Sequence, residues 1–215
     1  MTFASLLSDL EWDWIDEHYA GRSKTHKRLI RLHDAEDCDS FAALALGISS
    51  GYGNFSAAEH NFGPKVLADN TRAAERLWDL ANSFWELESA ASVPELIRAA
   101  GLRWLSIGVG SELSCMMNPD LCWVVNVRTI WAYLLLKHEW NTTRANEELQ
   151  LYRLHDPLSD MTYSIWEELH PYLGEPLADL AAESARWAGN EGISPGSLTY
   201  LWADAIADRL YADYT

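Results

Sequence analysis

The chain has 215 residues, 48% of them hydrophobic, and a formal net charge of −16 from 32 acidic and 16 basic side chains. That length and apolar content fit one folded domain and exclude a disordered chain. The acidic balance speaks against direct nucleic-acid binding, which needs clustered Lys and Arg, and against an anionic membrane surface. A basic protein partner is compatible with it.

Three cysteines, Cys38, Cys115 and Cys122, form no CxxC pair, so neither a disulfide framework nor a zinc knuckle is expected. The N-terminal MTFASLLSDLEWDW lacks the basic start of a signal peptide. A soluble protein of the reducing cytoplasm is the expectation. Eleven tryptophans suit wide gaps between helices, or an aromatic-lined pocket.

In chain order, Leu6, Leu10 and Trp14 recur at helical spacing and predict a first helix over 3–19, ended by Gly21. Residues 22–33 then hold five basic side chains (Arg22, Lys24, Lys27, Arg28, Arg31) before any acidic one. They read as internal counter-charge or as an anion site. A helix with an acidic first turn follows over Asp34–Ile48, then a Gly-rich loop at 49–54 and a short turn at 56–60. A long amphipathic helix is expected over 65–88, and a shorter one after Ser92-Val93-Pro94, stopping at Gly101.

The most apolar stretch, Leu102–His138, predicts two helices meeting in a hairpin at Asn118-Pro119. Beyond it, Asn141 caps a helix over about 143–153. Ser159 or Asp160 caps another, which Pro171 and Gly174 end or kink. A further helix carries Leu177 and Leu180, and Ser194-Pro195 opens the last. No period-2 run with turn signals occurs. The fold class expected is therefore all-α: a single domain over 1–215, of about eight to ten helices around the apolar hairpin at 102–138.

Glu112, Asn126 and Arg128 lie inside that apolar run, where a plain core would not place them. They predict either a Glu–Arg pair that fixes helix register or a polar site for a small organic ligand. In the second case Glu112, Arg128 and His138 would be catalytic, and Asn126, Tyr133 and Trp131 would bind the ligand. Whether the chain is an enzyme stays open at this stage. No cofactor is identified, and no metal site is expected. Glu167-x-x-His170 has the spacing of di-iron bundles but lacks a second such motif.

The alternative is an acidic interaction protein, of inhibitor, immunity or antitoxin type, that masks a basic protein. Residues 154–185 carry Asp156, Asp160, Glu167, Glu168, Glu175, Asp179 and Glu183 with no Lys or Arg. The first six of these are the expected partner contacts.

Overall fold

A computed structural model describes residues 3–153 and 160–215, with the side chains of residues 3, 160 and 161 outside the description. The fold is all-α, and no strand occurs among the described residues. The twelve described α-helices fall into two compact units. The first unit comprises Met1–Tyr19 and Val125–Thr215, and the second Ala20–Val124. Among the described residues no helix is long and apolar enough to cross a membrane.

The first helices correct the expectation of one helix over 3–19. α1 spans Phe3–Ser8, and α2 spans Trp12–Asp34 and continues through Gly21. Gly21 serves packing and not termination: the Tyr52 ring fills the space where a β-carbon would sit, 2.6 Å away. The basic run thus lies on α2.

In the second unit, α3 (Cys38–Ala45) is capped by Asp37, which accepts from the Ser40 amide. α4 (Phe55–Glu59) is capped by Asn54. The helix expected over 65–88 is two helices, α5 (Phe62–Asp69) and α6 (Ala73–Trp85). The break is pinned by a residue distant in the chain. Asn70 leaves the helical conformation, its side-chain oxygen accepts from the Arg103 amide (2.8 Å), and its amide donates to the Arg103 carbonyl. α7 (Val93–Ala100) stops at Gly101, whose φ of 59° suits glycine. α8 (Ile107–Met117) is buried at all eleven positions. It has no solvent-facing side, and its polar residues Ser111, Glu112 and Ser114 are buried with the apolar ones. α4, α6 and α7 are its neighbours, and Gly110 admits the Ile97 side chain of α7 against its backbone.

In the first unit, α9 (Val127–Lys137), α10 (Thr142–Leu149), α11 (Asp160–Asn190) and α12 (Thr199–Tyr214) pack together, with a 3₁₀ turn at Gln150–Tyr152. Trp131 and Trp202 are the largest side chains sealed in this core, so these two tryptophans are gap-fillers. α11 runs unbroken where two helices were expected, with Pro171 and Pro176 inside it. The apolar stripe Leu173, Leu177, Leu180 and Ala181 is buried, as is Ser184 beyond it, and this packing holds the helix together across both prolines.

The stretch 102–138 does yield two apolar helices, α8 and α9, but not a tight hairpin at Asn118-Pro119. Nine residues, 118–126, separate them, and they belong to different units. The Asn118 carbonyl accepts from the Leu121 and Cys122 amides, and the chain is then non-helical until Asn126 starts α9.

Candidate functional site

Glu112 projects from α8 onto the first turn of α4. Its Oε1 accepts from Arg22 (2.7 Å) and from the Phe55 amide (2.8 Å), and its Oε2 accepts from the Ser56 amide (2.9 Å). Arg22, on α2, also donates to the Gly53 carbonyl at 2.6 Å, and its guanidinium lies 5.0 Å from the centre of the Phe55 ring. Asn54 completes the arrangement. Its oxygen accepts from the Ala57 amide, and its amide donates to the Val109 carbonyl. Three of the amides that open α4 thus have side-chain acceptors, as a buried helix start requires. Glu112 and Arg22 are 1% and 0% exposed, so this carboxylate is a sealed structural anchor.

The Glu–Arg pair expected from the sequence therefore exists, but with Arg22 and not Arg128. Arg128 instead joins Asp208 of α12 at 2.5 Å, and His18 Nδ1 lies 4.0 Å from the other oxygen of the same carboxylate. This pair is part-exposed, at 29% and 24%. Asn126 caps α9. Its oxygen accepts from the Arg128 and Thr129 amides, and the Thr129 hydroxyl accepts from the Asn126 amide.

His138 stands at the end of α9 beside Glu148 of α10. One Glu148 oxygen accepts from Lys137 and from the Tyr152 hydroxyl, each at 2.6 Å, and the other meets His138 Nε2 at 2.6 Å. Burial works to raise the Glu148 pKa, but the three hydrogen bonds and the Lys137 charge outweigh it and lower it to about 2. The bond to Glu148, with burial second, raises Tyr152 to about 12. Trp131 donates to Asn146 at 2.6 Å, and Tyr133 lies near enough to Tyr152 to add to its shift. Of the six residues expected at one site, Trp131, Tyr133 and His138 come to the α9–α10 corner. Asn126 and Arg128 stand at the other end of α9, and Glu112 belongs to the second unit.

Arg22, Asp208, Glu148 and Tyr152 were missed as partners. Arg22 was legible in principle. It shares the spacing 22, 25, 26, 29 with Thr25, His26 and Leu29, all buried, but the stripe emerges only once α2 runs through Gly21.

The acidic candidates lie on α11. Glu168, Glu175 and Asp179 are exposed, and Tyr172, on the same face, is 64% exposed. The spacing of 4, 3 and 4 residues makes these four one stripe. None of the three carboxylates forms an ion pair among the described residues. Glu167 is half-buried, Asp156 lies outside the described residues, and so does the Asp160 side chain. His170 is buried, and burial lowers its pKa to about 4. A groove of about 470 Å³ in the same unit is lined by Trp12, Trp14 and Ile193 together with Glu11, Asp13 and Glu191. The chain matches no protein-family model, no curated protein and no solved structure.

Proposed function

We propose that this protein is an acidic interaction module that docks a basic protein through the outward face of α11. The observation that carries the reading is the unpaired stripe Glu168, Glu175 and Asp179 with Tyr172 standing exposed among them. A row of uncompensated carboxylates steers a basic surface into register, and an exposed tyrosine supplies the kind of anchor that dominates interface energetics. In the Trp12–Trp14 groove Arg209 already meets Glu11 and lies over the Trp14 ring, which leaves Asp13 and Glu191 as a second place for a cationic side chain. A cytoplasmic setting is part of the reading and agrees with three free cysteines. The test is a pull-down from the native host at low and high salt. The reading requires a basic partner whose capture weakens with salt and is lost in a Glu168→Lys/Glu175→Lys/Asp179→Lys variant that keeps its helical circular dichroism. Capture untouched by that reversal sinks it.

A second reading keeps the small organic ligand but moves it to the α9–α10 corner. There His138, Lys137 and Tyr152 converge on one carboxylate, Glu148, and Lys137 remains 43% exposed. In this reading a ligand carboxylate competes with Glu148 for those donors. A thermal-shift screen of small carboxylic acids tests it. A hit that survives His138→Ala and Lys137→Ala excludes this corner.

A further inference from the structure

Arg22 of the basic run is answered by Glu112, but its other four cations meet no carboxylate among the described residues. Lys24, Lys27, Arg28 and Arg31 are all exposed on α2, at the i, i+3, i+4, i+7 spacing of one stripe. Among the described residues none of the four forms an ion pair. The contact shown for this set is internal to it, from Arg31 Nε to the Lys27 carbonyl. The opposite side of this part of α2 is buried through Arg22, Thr25, His26 and Leu29, so the helix is fixed with its cations outward. In a chain with twice as many acids as bases, four neighbouring cations left unneutralised mark a surface for an anionic partner.

The same chain carries a complement of matching geometry. Lys24 and Arg31 are seven residues apart, and so are Glu168 and Glu175 on α11, about 10 Å in each case at the helical rise. Tyr172 sits four residues from Glu168, and in either helix direction it falls opposite a cation, Arg28 or Lys27, where an aromatic face attracts it. We propose that the basic face of α2 takes the acidic face of α11 from a second copy of this chain. The inference rests on the reading of α11 as a docking face, and it gives that face the basic stripe of a second, overall acidic copy in place of a separate basic protein.

Net charge opposes this association, and distance decides between the two effects. At about 0.1 M salt, charges farther apart than about 10 Å are screened, whereas stripes in contact are not. Self-association should therefore be weak in very dilute buffer, strongest near about 0.1 M salt, and lost again toward about 1 M, where screening reaches about 3 Å.

Sedimentation velocity of the full chain at rising concentration tests the proposal with two charge-reversed variants. One is Lys24→Glu/Arg28→Glu/Arg31→Glu, and the other is Glu168→Lys/Glu175→Lys/Asp179→Lys. Each alone should associate about tenfold more weakly than wild type, or not at all, and an equimolar mixture should recover association, because reversed α2 now meets reversed α11. Circular dichroism checks that both stay folded. Should the α2 reversal unfold, the neutral variant Lys24→Gln/Lys27→Gln/Arg28→Gln should still weaken association. Wild type that stays monomeric at every salt concentration overturns the proposal, and so does association indifferent to either reversal. The docking role of α11 fails separately. If wild type is monomeric yet a basic protein is captured through α11, that role stands and the self-partner falls. If the α11 reversal changes neither, both fall.

Discussion

Glu112 and Arg22 meet at 2.7 Å with neither side chain open to solvent, ninety positions apart in the chain. Removing one member of such a pair leaves the other charge buried and uncompensated. Glu112→Ala should destabilise the protein by about 3–5 kcal/mol, read by urea denaturation. Replacing both partners by apolar residues, Arg22→Met with Glu112→Leu, should not restore wild-type stability, because the Phe55 and Ser56 amides would lose their acceptor.

Arg128→Ala should behave differently, although its partner lies equally close. The Arg128–Asp208 pair is part-exposed, so water takes over much of what the ion pair supplies. A loss of about 0.5–1 kcal/mol is expected in the same assay. A loss as large as that of Glu112→Ala would mean that Asp208 is held far more tightly than its exposure indicates.

Acid should act on Glu148 in a defined window. In the unfolded chain this carboxyl takes up its proton near the ordinary 4.5, whereas folded it stays charged down to about 2. Its contribution to stability is therefore complete above about pH 4.5 and is lost as pH falls toward 2, because the unfolded state binds the proton first. Denaturation followed between pH 5 and 2 should show that slope in wild type and a shallower one in Glu148→Gln.

His170 should act at higher pH. Unfolded, its ring charges near 6.5; folded, burial holds it neutral down to about 4. Its contribution is present above 6.5 and drains away as pH drops from 6.5 to 4. Replacing it with leucine should remove that step and leave the Glu148 step in place. Equal slopes for wild type and His170→Leu in this window would contradict the assignment.

Gly47 should tolerate no side chain. Its φ is +70°, and a β-carbon there would lie 2.6 Å from the Asn54 carbonyl oxygen, which belongs to the backbone and cannot swing aside. Gly47→Ala should cost about 1–3 kcal/mol or more in thermal denaturation, from the strained conformation and from displacement of the residue that caps α4.

Helix class and most core positions were legible where apolar spacing decides, as in α12: of the period Leu198, Leu201, Trp202, Ala205, Ile206 and Leu210, all are buried but Leu198, which is half-buried at the N-cap. Boundaries failed where a distant residue decides. Gly21 makes room for the Tyr52 ring and does not end its helix, the α5–α6 break is pinned by Asn70 to Arg103, and Pro171 and Pro176 are carried by packing on the apolar side of α11. Of the polar residues in the apolar stretch, Glu112 and Asn126 are buried, while Arg128 is part-exposed and pairs with Asp208. Their partners were not foreseeable from local spacing, because Arg22 reaches Glu112 only through the tertiary fold. The acids of α11 were legible one by one, but their alignment in one stripe was not, because it requires the helix to continue through Pro171 and Pro176.

Pro171 and Pro176 each lack the amide that would bond to the carbonyl four residues earlier, at Glu167 and Tyr172. A peptide cut from residues 162–190 would therefore be mostly unwound in water, with its carboxylates scattered. The ordered row of charge exists only when the rest of the first unit has folded around the helix. A molecule that recognises this row thus discriminates native from denatured chains, and by mass action it raises the melting temperature as its concentration rises.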